Sequence, residues 1–253
     1  MNINYLVIND VGELEHVVDL EIQVWDLDPR DAVPYHLLRA VTVNGGVLIG
    51  AYDEAEIVGV AFGFPAPRPE GWILWSHMTA VHPAYQGKGI GSELKRFQRR
   101  WAREHGYREI RWTFDPLQRG NAHLNLHLLG ARAAQYHVDF YGRMTDGINR
   151  GMPSDRLEAV WDIHDLPRLA RERDPLSILK IENGHPRVAL PTDSNRPLLI
   201  HIPGVLKDLS YEARLEWRLA LRAAFGWAFD RGYHAVDFQD ESAGGVYVLA
   251  KTR

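Results

Sequence analysis

The chain has no cysteine. Disulfides, thiolate metal sites and a cysteine nucleophile are therefore excluded, and composition leaves no trace of the redox compartment. Long apolar runs are also missing: none approaches the roughly 20 residues that a membrane-spanning helix needs. Charge of one sign is lacking as well. With 29 basic and 33 acidic residues the net charge is −4, so no polyanion-binding surface is advertised and nucleic acid is not an expected partner. The opening MNINYLVINDVGELEH has neither a basic start nor an apolar stretch, so no secretory signal is expected. A soluble cytoplasmic protein without a membrane partner is the expectation. What remains is an ordinary globular composition, 45% apolar and 25% charged over 253 residues. That length suffices for one large domain or two small ones.

The densest information lies in HMTAVHPAYQGKGIG, residues 77–91. A strand-like run ends at Val81, a short loop follows, and Ile90, Leu94, Phe97 and Trp101 then recur at helical spacing. Strand, glycine loop and helix bring free N–H groups and a helix dipole to one point, which suits an anion. Spacing decides which anion. A dinucleotide fingerprint, G-x-G-x-x-G, fails because Ser92 or Leu94 stands where the last glycine belongs. A Walker loop fails because Lys88 is followed by Gly89 rather than Ser or Thr. The pattern Q/R-x-x-G-x-G/A fits Gln86, Gly89 and Gly91. The plainer alternative is a glycine turn without a ligand, against which stand the glycines and lysine packed into residues 87–91.

This loop, with Ala80-Val81-His82-Pro83 before it and an amphipathic helix after it, resembles the pyrophosphate loop of the GNAT superfamily of acyl-CoA-dependent N-acyltransferases. The resemblance implies an α/β fold with a mixed, mostly antiparallel central sheet flanked by helices. It also implies acyl-CoA as cosubstrate, acetyl-CoA above all, held by Gln86, Gly87, Lys88, Gly89, Ile90 and Gly91. The strand before the loop would offer backbone groups of Thr79, Ala80 and Val81, where it splays from its neighbour, to the acyl carbonyl and the donor's arm. The element order β-α-α-β-β-β-α-β-α-β over residues 1–146 is that of the GNAT fold, and residues 147–253 are left as a C-terminal α/β extension. In the extension, VALP and LLIHIPG suggest strands, and Trp217, Leu221, Ala224 and Ala228 form a helical stripe widened by Leu215, Leu219 and Phe225. WAREHGYREIRWTF (101–114) and WAFDRGYHAVDFQD (227–240) share W-A-x-x-x-G-Y at a helix-to-strand junction. Two explanations stay open, an eroded second GNAT-like half or a common junction. In the first case Asp208-Leu209-Ser210-Tyr211 replaces the glycine loop, and that half should not bind CoA.

Around this donor site the resemblance implies further roles. Asn121 matches the family's asparagine near the donor's thiol, though a helix cap explains it equally. The family's tyrosine acid would fall at Leu126 or Leu128, so the thiolate is left to Tyr136 or Tyr141 on the next strand, or to solvent, for its proton. Trp75 stands where a glutamate base is usual, and His77, on the same strand face as Thr79 and Val81 if the strand is regular, has a suitable reference pKa of about 6.5. Asp115 and Asn125 are candidate substrate contacts. His123 and His127 share a helix face, but Leu124 occupies the glutamate position of HExxH and no third ligand is in view, so no metal is expected. The basic cluster Lys95, Arg96, Arg99, Arg100 and Arg103 suggests a solvated helix face. The chain is thus expected to be a transferase moving an acyl group, most naturally acetyl, from acyl-CoA to a primary amine of a small molecule. Succinyl transfer to amino acids is the alternative, with Arg111, Arg119 or Arg132 for the carboxylate. A non-catalytic acyl-CoA sensor is a second alternative. Oligomeric state, a homodimer included, stays open.

Overall fold

A computed structural model describes residues 2–142, 151–164 and 174–251. The chain forms two compact units, one built on residues 2–112 and 162–164, the other on 113–142, 151–161 and 174–251. The division at 146/147 drawn from the sequence, and the turn- and arginine-rich segments 143–150 and 165–173, lie outside the described residues.

The first unit is a mixed sheet in the order β1 (Ile3–Val7), β2 (Val47–Asp53), β3 (Glu56–Arg68), β4 (Gly71–Val81) and β5 (Glu109–Phe114). Neighbours are antiparallel except β4 and β5, which run parallel. After β1, Asp10 accepts a hydrogen bond from the Gly12 N–H at 3.0 Å and opens a 3-10 turn that leads into α1 (Leu14–Trp25). Pro34, at φ −61°, precedes α2 (Tyr35–Val43). Leu14, Val17 and Leu20 of α1 and Leu38 of α2 share a core with Val60, Phe62, Met78 and Ala80 of the sheet. Each of these side chains larger than alanine contributes about 1.5–3 kcal/mol when fully buried.

The helix α3 (Ile90–Glu104) packs differently from expectation. The stripe Ile90, Leu94, Phe97, Trp101 predicts the buried face, yet the inward positions are Ile90, Ser92, Leu94, Lys95, Gln98 and Ala102. Phe97 and Trp101 are only half-buried, and Trp101 stacks on His105 at 3.9 Å and on Tyr107 at 5.9 Å. Lys95, placed by the sequence on a solvated face, is 3% exposed. Its Nζ donates to Ser76 Oγ at 2.8 Å and to Gln98 Oε1 at 3.3 Å, and lies 3.6 Å from the centre of the Trp112 ring. Burial pushes its pKa well below the usual lysine value.

The second unit carries α4 (Arg119–Ala122), a π-helical turn His123–Leu128, β6 (Arg132–His137), β7 (Arg156–Asp162), β8 (Leu176–Glu182), β9 (His185–Val188), β10 (Leu198–Pro203), α5 (Tyr211–Phe229), β11 (Tyr233–Glu241) and β12 (Gly244–Lys251). Its strands pair in the order β7-β6-β11-β12-β10-β8-β9. Asn183 (φ 52°) and Gly184 (φ 82°) turn β8 into β9, an Asn-Gly hairpin where the sequence suggested only VALP. On α5, Trp217, Leu221, Ala224, Phe225 and Ala228 are wholly buried, whereas Leu219 is 50% exposed and off the stripe.

The buried face of α5 also carries charge. Arg218 forks onto the Asp115 carboxylate at 2.5 and 3.1 Å. Arg222 forks onto Asp155 at 2.6 and 2.8 Å, and Asp155 also accepts the Tyr136 hydroxyl at 2.7 Å. Removing one partner of such a pair strands the other charge. Arg218→Met should therefore cost about 3–5 kcal/mol in urea unfolding, and adding Asp115→Leu should restore most of the loss. A cost below about 1 kcal/mol for the single variant would show that water reaches the pair.

Candidate functional site

The register of β3 against β4 slips by one residue: Phe62 faces Met78, but Gly63 faces Ser76. His77 is the extra residue, a β-bulge, and it exchanges the two faces of the strand. Before it, Leu74 and Ser76 lie on the α3 side, beside Gln98 and Lys95. After it, Met78 and Ala80 lie in the α1–α2 core, and Val81 turns towards α3 at Gly91. His77 therefore does not share the face of Thr79 and Val81, as regular alternation would have it. Its imidazole sits against Phe62 and Phe64, with ring centres 6.2 and 6.0 Å away. One edge stays exposed, but the protein crowded round the ring withholds the water a cation needs, and the pKa falls below 6.5. At neutral pH the ring is therefore mostly uncharged.

Beyond the bulge β4 parts from its parallel neighbour. The two strands pair only at Leu74–Ile110 and Trp75–Arg111, so from Ser76 to Val81 alternate backbone groups on that edge have no strand partner. A 3-10 turn, Pro83–Tyr85, follows, capped by His82, whose Nδ1 accepts from Ala84 N at 3.2 Å. Tyr85 is tied by its hydroxyl to Asp53 at 2.9 Å, and Lys88 Nζ lies 4.8 Å above its ring. The Gln86 side chain turns back and donates to the Val81 carbonyl at 3.0 Å, tying the start of the loop to the end of the strand. Gly87 (φ 75°) and Gly89 (φ 82°) adopt the left-handed conformation, and a Cβ on Gly87 would meet nothing within 4 Å. Gly89 is the N-cap of α3 and offers no side chain to its first N–H groups. The 15-residue helix thus presents open donors and roughly half a positive charge at a bare backbone surface. These residues fit a pyrophosphate.

The remaining candidates lie in the second unit. Asp115 is 7% exposed and already neutralised by Arg218, so it has no spare charge for an amine. Tyr136 gives its proton to Asp155, and desolvation and that carboxylate push its pKa far up. It is fixed as a donor to Asp155, not as an acid for a thiolate. Tyr141 keeps 43% exposure, with its hydroxyl 3.0 Å from Thr113 Oγ1. Asn121 is not the N-cap: α4 starts at Arg119 with Gln118 as cap, and Asn121 is exposed in its first turn. Asn125 is 5% exposed within the π-helical turn. Of the helix slots lacking tyrosine, Leu126 is buried and Leu128 exposed. His123 and His127 contact Asp240 and Asp237 at 3.1 and 2.9 Å. Among the described residues no cluster of acidic and histidine side chains could hold a metal, and no helix is long and apolar enough to cross a membrane.

Sequence reasoning missed Glu21. It is 4% exposed on the core side of α1, and its Oε2 accepts from Val33 N at 3.1 Å in the segment joining α1 to α2. Desolvation, opposed by that bond, raises its pKa to about 6. A charged residue at a core position of α1, one place before Ile22, was the available signal.

A bulged strand that parts from its neighbour and feeds a bare glycine turn at a helix N-terminus defines an acyl-CoA-binding acyltransferase fold. Residues 14–130 match the family model described as Acetyltransferase (GNAT) family, so this span of the chain carries a GNAT acetyltransferase domain, whose reaction is acyl transfer from acyl-CoA. Solved structures share the fold. The ribosomal-protein-S18-alanine N-acetyltransferase of Escherichia coli is similar with a TM-score of 0.53 and 12% identity, over 68% of this chain and 100% of its own. Salmonella typhimurium yncA, solved with its cofactor acetyl-CoA, gives 0.52 and 16%, over 69% and 100%. The NatC complex bound to Gag peptide and CoA gives 0.52 and 16%, over 64% and 99%. A comparison with curated proteins finds no match. The solved structures are covered almost whole while about a third of this chain lies beyond them, so the chain has an extension.

Gly89→Val tests the loop. A β-branched residue at φ 82° is strained, and its side chain stands where the backbone must approach phosphate. Acetyl-CoA affinity should fall at least about tenfold in calorimetry, roughly 1.4 kcal/mol, with circular dichroism unchanged. Undiminished affinity would place the pyrophosphate elsewhere.

Proposed function

We propose that the chain moves an acetyl group from acetyl-CoA to the primary amine of a small molecule by direct attack. The observation that carries this is the bulge, which sets an uncharged imidazole at the point where the open edge of β4 begins. The donor supplies a thioester carbonyl. The loop and the N-terminus of α3 hold its pyrophosphate, unpaired backbone groups of β4 receive its arm and carbonyl, and His77 accepts the proton of the attacking amine through its exposed edge. Of the two tyrosine candidates, Tyr136 is committed to Asp155 and Tyr141 keeps an accessible phenol; the leaving thiolate can take its proton from solvent. Of the three arginines that could take a succinyl carboxylate, Arg111 and Arg119 are engaged with Glu109 and Asp240, at 2.6 and 2.8 Å, which favours acetyl and leaves Arg132 as the one to test for succinyl.

The second unit supports a related reading, that β10–α5–β11 is a worn copy of β4–α3–β5. Gly106 and Gly232 both have φ 76°, and each is followed by a buried tyrosine. The Tyr107 hydroxyl donates to the Gly45 carbonyl ahead of β2, and that of Tyr233 to the carbonyls of Ser194 and Arg196 ahead of β10. The copy has diverged, because β12 pairs with both β10 and β11 where β4 meets β5 directly. Ser210 Oγ accepts from Ala213 N at 3.2 Å, so the N-terminus of α5 is capped from within and is not the bare end that α3 presents.

Thiol release from acetyl-CoA across a panel of primary amines tests the reaction; tight acetyl-CoA binding with no turnover on any amine would sink it. The base is tested with an arylamine whose own titration lies well below that of imidazole. Wild-type kcat should then fall as pH drops through a pKa below 6.5, because protonation removes the base. His77→Gln should lower kcat about a hundredfold and abolish that limb while leaving acetyl-CoA affinity intact. A limb that persists in the variant would assign the base to another group.

A further inference from the structure

Phe64 belongs to two neighbourhoods at once. Its ring lies 6.0 Å from the His77 imidazole, and it also lines an open cavity of about 290 Å³ with Pro65 of β3 and Ala40, Val41 and Asn44 of α2. Among the described residues no charged side chain lines this cavity. The polar side chain in this lining is occupied, since Asn44 Nδ2 donates to the Ala40 carbonyl at 2.7 Å. The strand register fixes where the cavity lies. Phe64 pairs with Trp75 and Pro65 with Leu74, so it opens two to three residues along β4 from His77, about 7–10 Å at the usual rise. The phosphate loop follows Val81, in the opposite direction along the strand. Three stations therefore lie in order on one strand: the donor's pyrophosphate end, the proton acceptor, and an uncharged cavity.

We infer that this cavity receives the apolar part of the acceptor, and that the acceptor is an arylalkyl primary amine whose amino group reaches back towards His77. The inference rests on the proposed amine acetylation. The volume stands at the lower end of small-molecule clefts, roughly 300–1,000 Å³, and suits a single ring better than a peptide. With no carboxylate in the lining, a second ammonium would enter unpaired, and with no cation in it a substrate carboxylate would do the same; both are costly. An aromatic ring, in contrast, would meet the Phe64 ring and the aliphatic surfaces of Val41 and Pro65.

The test uses 2-phenylethylamine and putrescine as probes, with binding followed by calorimetry and turnover by thiol release. Ala40 is exposed on α2, so Ala40→Trp and Ala40→Asp should both fold, which unchanged acetyl-CoA affinity would verify. In the wild type, kcat/KM for 2-phenylethylamine should exceed that for putrescine at least tenfold. Ala40→Trp, which fills the cavity, should raise KM for 2-phenylethylamine at least tenfold, and Ala40→Asp should shift the preference towards putrescine. Equal use of the two amines by the wild type, or unchanged 2-phenylethylamine kinetics in both variants, would overturn the inference. The two proposals fail in different ways. Binding of 2-phenylethylamine that the variants weaken, without thiol release, upholds the cavity and defeats the acetyl transfer. Turnover of other amines, with 2-phenylethylamine neither bound nor used, upholds the transfer and defeats the cavity.

Discussion

One surplus residue in β4 governs the geometry of the first unit. A strand has only two faces, so inserting His77 exchanges them, and everything after it points where its neighbours would not. Without the insertion Met78 and Ala80 would fall on the α3 side and leave the α1–α2 core two side chains short. The bulge is braced from both sides. Phe62 and Phe64 hold the imidazole on one face, and on the other Lys95 reaches through the core to grip Ser76, the residue just before it. A buried lysine is an expensive brace, since burial disfavours its charge, and among the described residues it bonds to Ser76 and Gln98 and lies over the Trp112 ring rather than pairing with a carboxylate.

The donor and acceptor sides of the site are made from different material. The donor side is backbone: φ angles of 75° and 82° at two glycines, an uncapped helix end, and an unpaired strand edge. Backbone can be reproduced by many sequences, which accords with solved relatives that share the fold at 12–16% identity. The acceptor side proposed above is made of side chains instead: His77, Phe64 and the uncharged lining beside them.

Legibility in the sequence follows the same division. The glycine loop was readable because its spacing is local and each glycine has a backbone reason. The order of the elements through β6 was readable from periodicity and turns. The bulge was not, because alternation shows that a strand exists without showing where a residue has been added. Nor could local pattern reveal that Asp115 and Tyr136 were spoken for: Arg218 is 103 residues from Asp115, and Asp155 is held by Arg222 from 67 residues away. The phase of α3 was misjudged for a related reason. Helical periodicity finds the apolar stripe, but contacts made by Lys95 and Gln98 with the sheet decide which residues turn inward. The hairpin at Asn183–Gly184 is a different case, a local signal that was present and passed over.

The two arginines of α5 also bear on how the chain can change over time. Asp115 and Asp155 precede α5 in sequence, and each depends on a guanidinium that the helix supplies. Deleting the helix would leave two desolvated carboxylates at a stroke, so a viable shortening needs both acids replaced beforehand. Replacing either acid while the helix remains orphans an arginine instead. Each single change strands a charge, whichever partner goes first. The helix and the two acids are thereby tied by electrostatics, so they can be exchanged or lost only together.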